Sequence, residues 1–177
     1  NKVRTGKVED DDWQKLAEAS GNLSQAQIFI DDTPGITVGE IRAKCRRLAS
    51  SEKGLGLIII DYLQLISGGK NYGSNRQQEV SDVSRALKTM AMELHVPVIA
   101  LAQLSRAVEG REDKRPLMSD LRESGSIEQD ADIVSFLYRD DYYNKEARND
   151  DNTSISELII AKHRNGPTAT IELLFKK

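Results

Sequence analysis

Leu57-Ile58-Ile59-Ile60-Asp61 and Val96-Pro97-Val98-Ile99-Ala100-Leu101-Ala102-Gln103 are the stretches that decide the fold. Each is a run of aliphatic residues that ends on a polar side chain. Between them, Arg76 to Leu94 places Val80, Val83, Leu87, Met90 and Leu94 near one helical face. Strand, helix and strand in that order suit a parallel crossover. Continuous β-branched runs read as strands covered on both faces. Such sheets bind ligands just beyond the carboxyl ends of their strands, where Asp61 and Gln103 fall.

Asp61 admits two readings from its residues alone. An aspartate closing an apolar strand is the Walker B arrangement, which helps to hold the Mg²⁺ of a bound nucleotide. It also caps turns in many α/β proteins. Gln103 is either a ligand-facing amide, able to donate and accept, or a buried glutamine satisfied by loop backbone. Lys162 and Arg164 lie two apart on an expected strand, so they share a face. Two such cations either meet something negative or keep an exposed hairpin edge soluble.

Working outward, Asp10 to Ala19 reads as a short helix opened by acidic residues. Gln27 to Ile30 reads as a strand, and Asp31-Asp32-Thr33-Pro34-Gly35 as a turn. Thr37 to Ser50 is a helix with Thr37 and Glu40 in capping-box spacing. Ile41, Cys45, Leu48 and Ala49 form its apolar face. Ser67 to Asn75 is a glycine-bearing loop. Ser119 caps a short helix that Gly125 interrupts. Ile133 to Tyr138 is a strand, and Arg139 to Ser154 a polar, poorly ordered insertion. Glu157 to His163 and Thr168 to Phe175 are strands around Asn165-Gly166, a hairpin signal.

The 177 residues are 30% charged and 38% hydrophobic, which suits one domain with a real core and points away from disorder. No apolar run approaches the roughly 20 residues of a bilayer span. No charged-then-apolar leader is present. The single cysteine, Cys45, has no internal disulfide partner and suits a reducing compartment. A cytoplasmic chain with no membrane partner is expected. The net charge of −3 argues against a wholly basic nucleic-acid binder, although in an oligomer only a channel lining needs to favour phosphate.

Leu57 to Leu65, Leu101-Ala-Gln-Leu-Ser-Arg106, Leu121 to Asp132 and Lys162-His-Arg-Asn-Gly-Pro167, in this order and spacing, resemble the DnaB-type bacterial replicative helicases. Arg4-Thr-Gly6, Asp31 to Gly35 and Glu40 to Lys44 do so too. The resemblance implies an α/β, RecA-like P-loop NTPase core, with a mostly parallel sheet flanked by helices and a C-terminal β-hairpin. It further implies ATP and Mg²⁺ as cofactors, single-stranded DNA as partner, a homo-hexamer, and contacts with a primase and a helicase loader. The residue roles follow from it. Asp61 would bind Mg²⁺ and Gln103 would sense the γ-phosphate. Lys162 and Arg164 would reach the nucleotide of the neighbouring subunit, Arg164 as a finger. Arg122, Glu123 and Gly125 would form a loop gripping DNA phosphates, with Arg106 among the nearby cations. Arg106, Arg111, Lys114, Arg115 and Arg122 are the cations of this stretch, and Glu109, Glu112, Asp113, Asp120 and Glu123 match them one for one. His163 and His95 are given no role.

No G-x-x-x-x-G-K-[ST] occurs: Gly6-Lys7 and Gly69-Lys70 precede Val8 and Asn71. Residues 1–177 are therefore expected to be a single partial motor domain, truncated on its N-terminal side and lacking the catalytic glutamate that the family places upstream. Alone it is expected to be inactive. The alternatives are a different RecA-fold DNA-dependent ATPase and a non-catalytic docking module for a helicase loader. Restoring ATPase activity with the upstream segment separates motor from module.

Overall fold

The structure is a computed structural model that describes residues 2–69, 75–144 and 153–176, with the side chains of residues 122–125 outside the description. The chain divides into two compact units, Asn1–Thr33 and Pro34–Lys177.

In the first unit, α1 (Lys2–Thr5) precedes α2 (Asp10–Gln25). The acidic start of α2 lies where the sequence places it, and Asp12 accepts from the Glu9 N–H at 3.2 Å and from Lys2 Nζ at 2.8 Å. The helix runs on to Gln25 because Gly21 is tolerated inside it, at a cost of about 1 kcal/mol. The strand expected at Gln27 to Ile30 does not form. The segment stays outside every ladder, and Ile30 is 89% exposed. β propensity without a pairing edge does not make a strand.

In the second unit, α3 (Val38–Ala49) starts on the expected capping box. Thr37 N–H donates to Glu40 Oε2 at 2.8 Å, and Glu40 N–H donates to Thr37 Oγ1 at 3.3 Å. β1 (Ile58–Ile60), α4 (Arg76–Leu94) and β2 (Val98–Ala100) follow. β1 and β2 pair in parallel, Ile59 opposite Ile99. The Asn75 side chain caps α4, and His95 ends it in the left-handed conformation. Val80, Val83, Leu87 and Met90 are buried, as their spacing requires. With Cys45, Ile58, Leu63, Ile66 and Val96, most of them form the main core, each large side chain contributing roughly 1.5–3 kcal/mol.

Both strands are shorter than their apolar runs, and the expected two-sided burial is met on one side only. Leu57, Ile59, Ile99 and Leu101 remain 45%, 63%, 49% and 45% exposed. Helices α3 and α4 supply side chains to one face, and no described element covers the other.

A three-stranded antiparallel sheet completes the unit, in the order β3 (Ile133–Arg139), β4 (Thr153–His163) and β5 (Ala169–Lys176). It is the C-terminal hairpin joined by β3. Leu121, Val134 and Phe136 form a second core beneath it. The two short helices α5 (Gly125–Asp130) and α6 (Asp140–Tyr143) precede and follow β3. Part of the expected polar insertion is thus folded. Arg139 ends β3, α6 follows, and Thr153 opens β4, while residues 145–152 lie outside the described ones.

The hairpin exists, but its loop is wider than a two-residue Asn-Gly turn, running from 164 to 168. The His163 imidazole packs onto the turn, so a Cβ at position 166 would meet its Cε1 at 2.3 Å unless the ring rotated away. Among the described residues, no helix is long and apolar enough to cross a membrane.

Candidate functional site

The parallel pair brings Asp61 and Gln103 to neighbouring strand ends. Leu101 N–H donates to the Ile60 carbonyl at 2.9 Å. Asp61 then turns out of the ladder, and Leu63 N–H returns to the Leu101 carbonyl, also at 2.9 Å. Both Asp61 and Gln103 are exposed. A Mg²⁺ ion takes one or two protein carboxylates and fills its remaining positions with phosphate oxygens and water. An exposed strand-end aspartate fits that requirement, and the adjacent amide fits a phosphate neighbour. Gln103 also opens on a cleft of about 630 Å³ that Arg106, Lys114 and Tyr138 help to line.

Sequence reasoning missed the residue that ties these strand ends together. Gln64 donates through Nε2 to the Gln103 carbonyl and accepts at Oε1 from the Gln103 N–H, both at 3.3 Å. The available signal was an amide inside the apolar run Leu63-Gln64-Leu65, since a polar group in such a place needs partners. Arg76 donates to the Gln64 carbonyl and pairs with Glu79. Glu79 accepts from the Gly68 N–H at 2.9 Å. That backbone donor, and then the Arg76 guanidinium, hold the Glu79 carboxyl below its usual range.

Lys162 and Arg164 do share a direction. Lys162 Nζ donates to the carbonyls of Glu128 and of Ala131, the latter at 2.8 Å. Arg164 Nη2 donates to the Gln129 carbonyl at 2.9 Å, and its Nη1 lies 3.5 Å from Asp132 Oδ1. Both cations thus sit on the C-terminal end of α5, where orphan carbonyls and the helix dipole favour positive charge. A bulge between Val134 and Ser135 shifts the β3–β4 register beside Lys162, and bulges re-aim side chains. Lys88 and then Arg164 hold the Asp132 carboxyl below its ordinary range.

The charged stretch before α5 is largely engaged internally. Arg111 grips Asp120 with two hydrogen bonds, at 3.0 and 2.8 Å, and Asp120 is buried. Arg115 grips Glu157 at 2.9 and 2.6 Å and lies over the Tyr138 ring. Glu157 is held low by this guanidinium, and the arginine is raised in turn. Lys114 lies 5.0 Å from the Tyr143 ring centre. Arg111 and Arg115, grouped in the sequence with the cations expected to face DNA, therefore brace the loop. Arg106 is exposed on the 3-10 turn Arg106–Gly110. Arg122 and Glu123 fall in the helical segment Met118–Ser124, and Gly125 begins α5, but their side chains lie outside the described residues.

Comparison with known proteins adds a family and a scale. The model of the DnaB-like helicase C-terminal domain matches residues 1–177. The chain is 65% identical over 175 residues to the replicative DNA helicase DnaB of Geobacillus stearothermophilus, covering 99% of this chain and 38% of that protein. The replicative DNA helicase DnaC of Bacillus subtilis (strain 168) gives the same identity and coverage. A solved DnaB-like replicative helicase, described with its interactions with primase, is 51% identical with a TM-score of 0.85, over 93% of this chain and 39% of that one. A solved ATPase domain superposes with a TM-score of 0.89 at 48% identity, over 98% of this chain and 61% of that one. The chain thus spans 38% of the length of the two curated relatives.

Proposed function

The chain belongs to the DnaB-like helicase C-terminal domain family, and from that premise we propose that it forms the C-terminal part of a hexameric replicative helicase motor. The intact ring couples ATP hydrolysis at subunit interfaces to 5′ to 3′ movement on single-stranded DNA and unwinds duplex at the replication fork. Its place of work is the cytoplasm, and its partners are a primase and a helicase loader. The observation that carries the reading is the pairing of an exposed Asp61 with an exposed Gln103 at adjacent parallel strand ends. The apolar face presented by Leu57, Ile59, Ile99 and Leu101 is the surface on which the rest of the motor packs.

Asp61 holds Mg²⁺, whose contribution when bound is to neutralise phosphate charge. Gln103 contacts the γ-phosphate. Arg164 is the finger offered to the neighbouring subunit, since its side chain is 47% exposed and rests on one carbonyl and a half-exposed Asp132. Lys162, set among the α5 carbonyls, is the more tightly held of the pair. Arg122, Glu123, Gly125 and Arg106 are the DNA-binding residues.

Full-length protein should hydrolyse ATP in the presence of Mg²⁺, with stimulation by single-stranded DNA. The 177-residue chain alone should give turnover indistinguishable from buffer, because no phosphate-cradling glycine loop is present to gather backbone N–H groups on the anion. Robust hydrolysis by the chain alone, or no stimulation of the full-length protein by DNA, overturns the proposal.

A further inference from the structure

Past Ile60 the parallel ladder has lost its partner strand, since Asp61 and Tyr62 turn aside. Leu63 resumes it with a backbone bond to Leu101, and Gln64 extends it with its side chain. The amide of Gln64 presents one acceptor and one donor to the backbone N–H and carbonyl of Gln103. It thereby reproduces the two bonds that a strand residue makes with its neighbour. The reciprocity also settles which way the amide points.

Gln64 is itself fixed on both sides. Leu63 and Ile66 are each 3% exposed. Arg76 holds the Gln64 carbonyl, and Glu79 of the same helix turn holds Gly68. The first turn of α4 therefore anchors the loop that carries Gln64. Gln103, by contrast, is exposed beyond the end of β2. Its side chain has several rotors, and its reach depends on where its backbone is held. At 3.3 Å each bond is long, so the pair gives direction more than stability.

We propose that Gln64 is a positioning residue that holds the Gln103 backbone, and so aims the Gln103 amide at the γ-phosphate. This rests on the functional reading above, in which Gln103 contacts that phosphate. Gln64 itself touches no substrate. A side chain there must both donate and accept. Glutamate keeps the acceptor, loses the donor and sets a charge against the Gln103 carbonyl. Methionine keeps the length and loses both bonds.

The test uses full-length protein carrying Gln64→Met or Gln64→Glu. DNA-stimulated kcat should fall by about tenfold to a hundredfold, the range that a displacement near 1 Å produces. The dissociation constant for ADP, which lacks the γ-phosphate, should stay within about twofold, because the contact that Gln64 aims is not made there. On a Gln103→Ala background, Gln64→Met should cost less than about a further twofold, because residues acting as one unit are not additive. Hydrogen exchange at the Gln103 amide should quicken in Gln64→Met, whatever the activity.

Wild-type kcat in Gln64→Met overturns the proposal, as does unchanged exchange at Gln103. An equal loss of kcat with or without Gln103 also overturns it, since that marks a general structural effect. Should Gln64→Met fail to assemble, Gln64→Glu decides: wild-type kcat there refutes the role. Failure of wild-type protein to show DNA-stimulated hydrolysis is a different outcome, which refutes the functional reading and leaves the exchange measurement to judge the geometry.

Discussion

Arg111→Ala separates a cation that grips DNA from one that braces a loop. Arg111 makes two bonds to Asp120 and donates to the Arg115 carbonyl at 2.8 Å, while Asp120 also accepts from the Leu117 N–H at 2.7 Å. The side chain of Asp120 is 5% exposed and that of Arg111 is 31% exposed. Removing one partner of a fully buried pair costs about 3–5 kcal/mol. Water reaches the guanidinium here, and the Leu117 N–H still serves the stranded carboxylate, so about 2–3 kcal/mol is expected. A unit of this size shifts by roughly 2–4 °C per kcal/mol. Its thermal midpoint should therefore fall by roughly 4–12 °C.

The companion measurement is binding of single-stranded homopolymer at several salt concentrations. A lost phosphate contact makes the slope of log K against log salt shallower by about 0.7 per contact. Arg111→Ala should leave that slope unchanged in assembled rings. Arg111→Ala with Asp120→Asn should regain part of the lost midpoint, since no bare charge is then buried. A midpoint within about 1 °C of wild type together with a shallower slope would refute the bracing argument. It would make Arg111 a phosphate ligand.

Three further outcomes are expected. Arg164→Ala should abolish turnover and spare nucleotide binding, as fingers contribute about 10³–10⁵ in rate; rings mixed from Arg164→Ala and Asp61→Ala subunits should recover activity, and inert mixtures with proven subunit exchange would exclude action in trans. Arg122→Ala should weaken binding to all single-stranded sequences alike and make the salt slope shallower by about 0.7 per engaged subunit, leaving basal ATPase nearly unchanged; an unchanged slope moves the DNA site off this loop. Glu157 is held low by Arg115, so its stabilising contribution is present above the unfolded glutamate value of about 4.3 and is lost as pH falls through the lower folded value. Denaturation midpoints followed downward from pH 5 should therefore fall less steeply in Glu157→Gln than in wild type, and parallel curves would show that the pair carries no linkage.

The features legible in the sequence were those governed by local spacing. The Thr37–Glu40 box, the buried stripe of α4 and the parallel order of β1 and β2 depend on residues a few positions apart or on unbroken apolar runs. Strand lengths were less legible, because a ladder ends where its partner ends. Gln27 to Ile30 has strand composition and no ladder, and β4 begins at Thr153, ahead of its expected start, because Lys176 lies opposite. In the site, the placing of Asp61 beside Gln103 followed from the crossover. The partners of Lys162 did not, since they are backbone carbonyls and carry no side-chain signature. Arg111 and Asp120 are nine residues apart around a turn, outside the helical spacings that make ion pairs readable.

That difference in partners also sorts the cations of the second unit. Arg111 and Arg115 face carboxylates through two bonds each, and such forks are both strong and geometrically selective. A guanidinium so held is costly to redirect. Lys162 and Arg164 rest mainly on neutral carbonyls at the end of α5, with one half-exposed carboxylate, Asp132, which Lys88 already neutralises. Carbonyls hold a cation through a dipole, and a phosphate offers full charge, so the exchange from one to the other runs downhill. The same helix begins at Gly125, beside the residues assigned to DNA, and at about 1.5 Å per residue its six residues separate the two ends by only about 9 Å. On the proposed assignment, Arg164, the more loosely held of the two cations, would leave for a nucleotide from the segment that follows the proposed DNA loop. Arg111 and Arg115, each forked onto a carboxylate, would keep the preceding loop in place meanwhile.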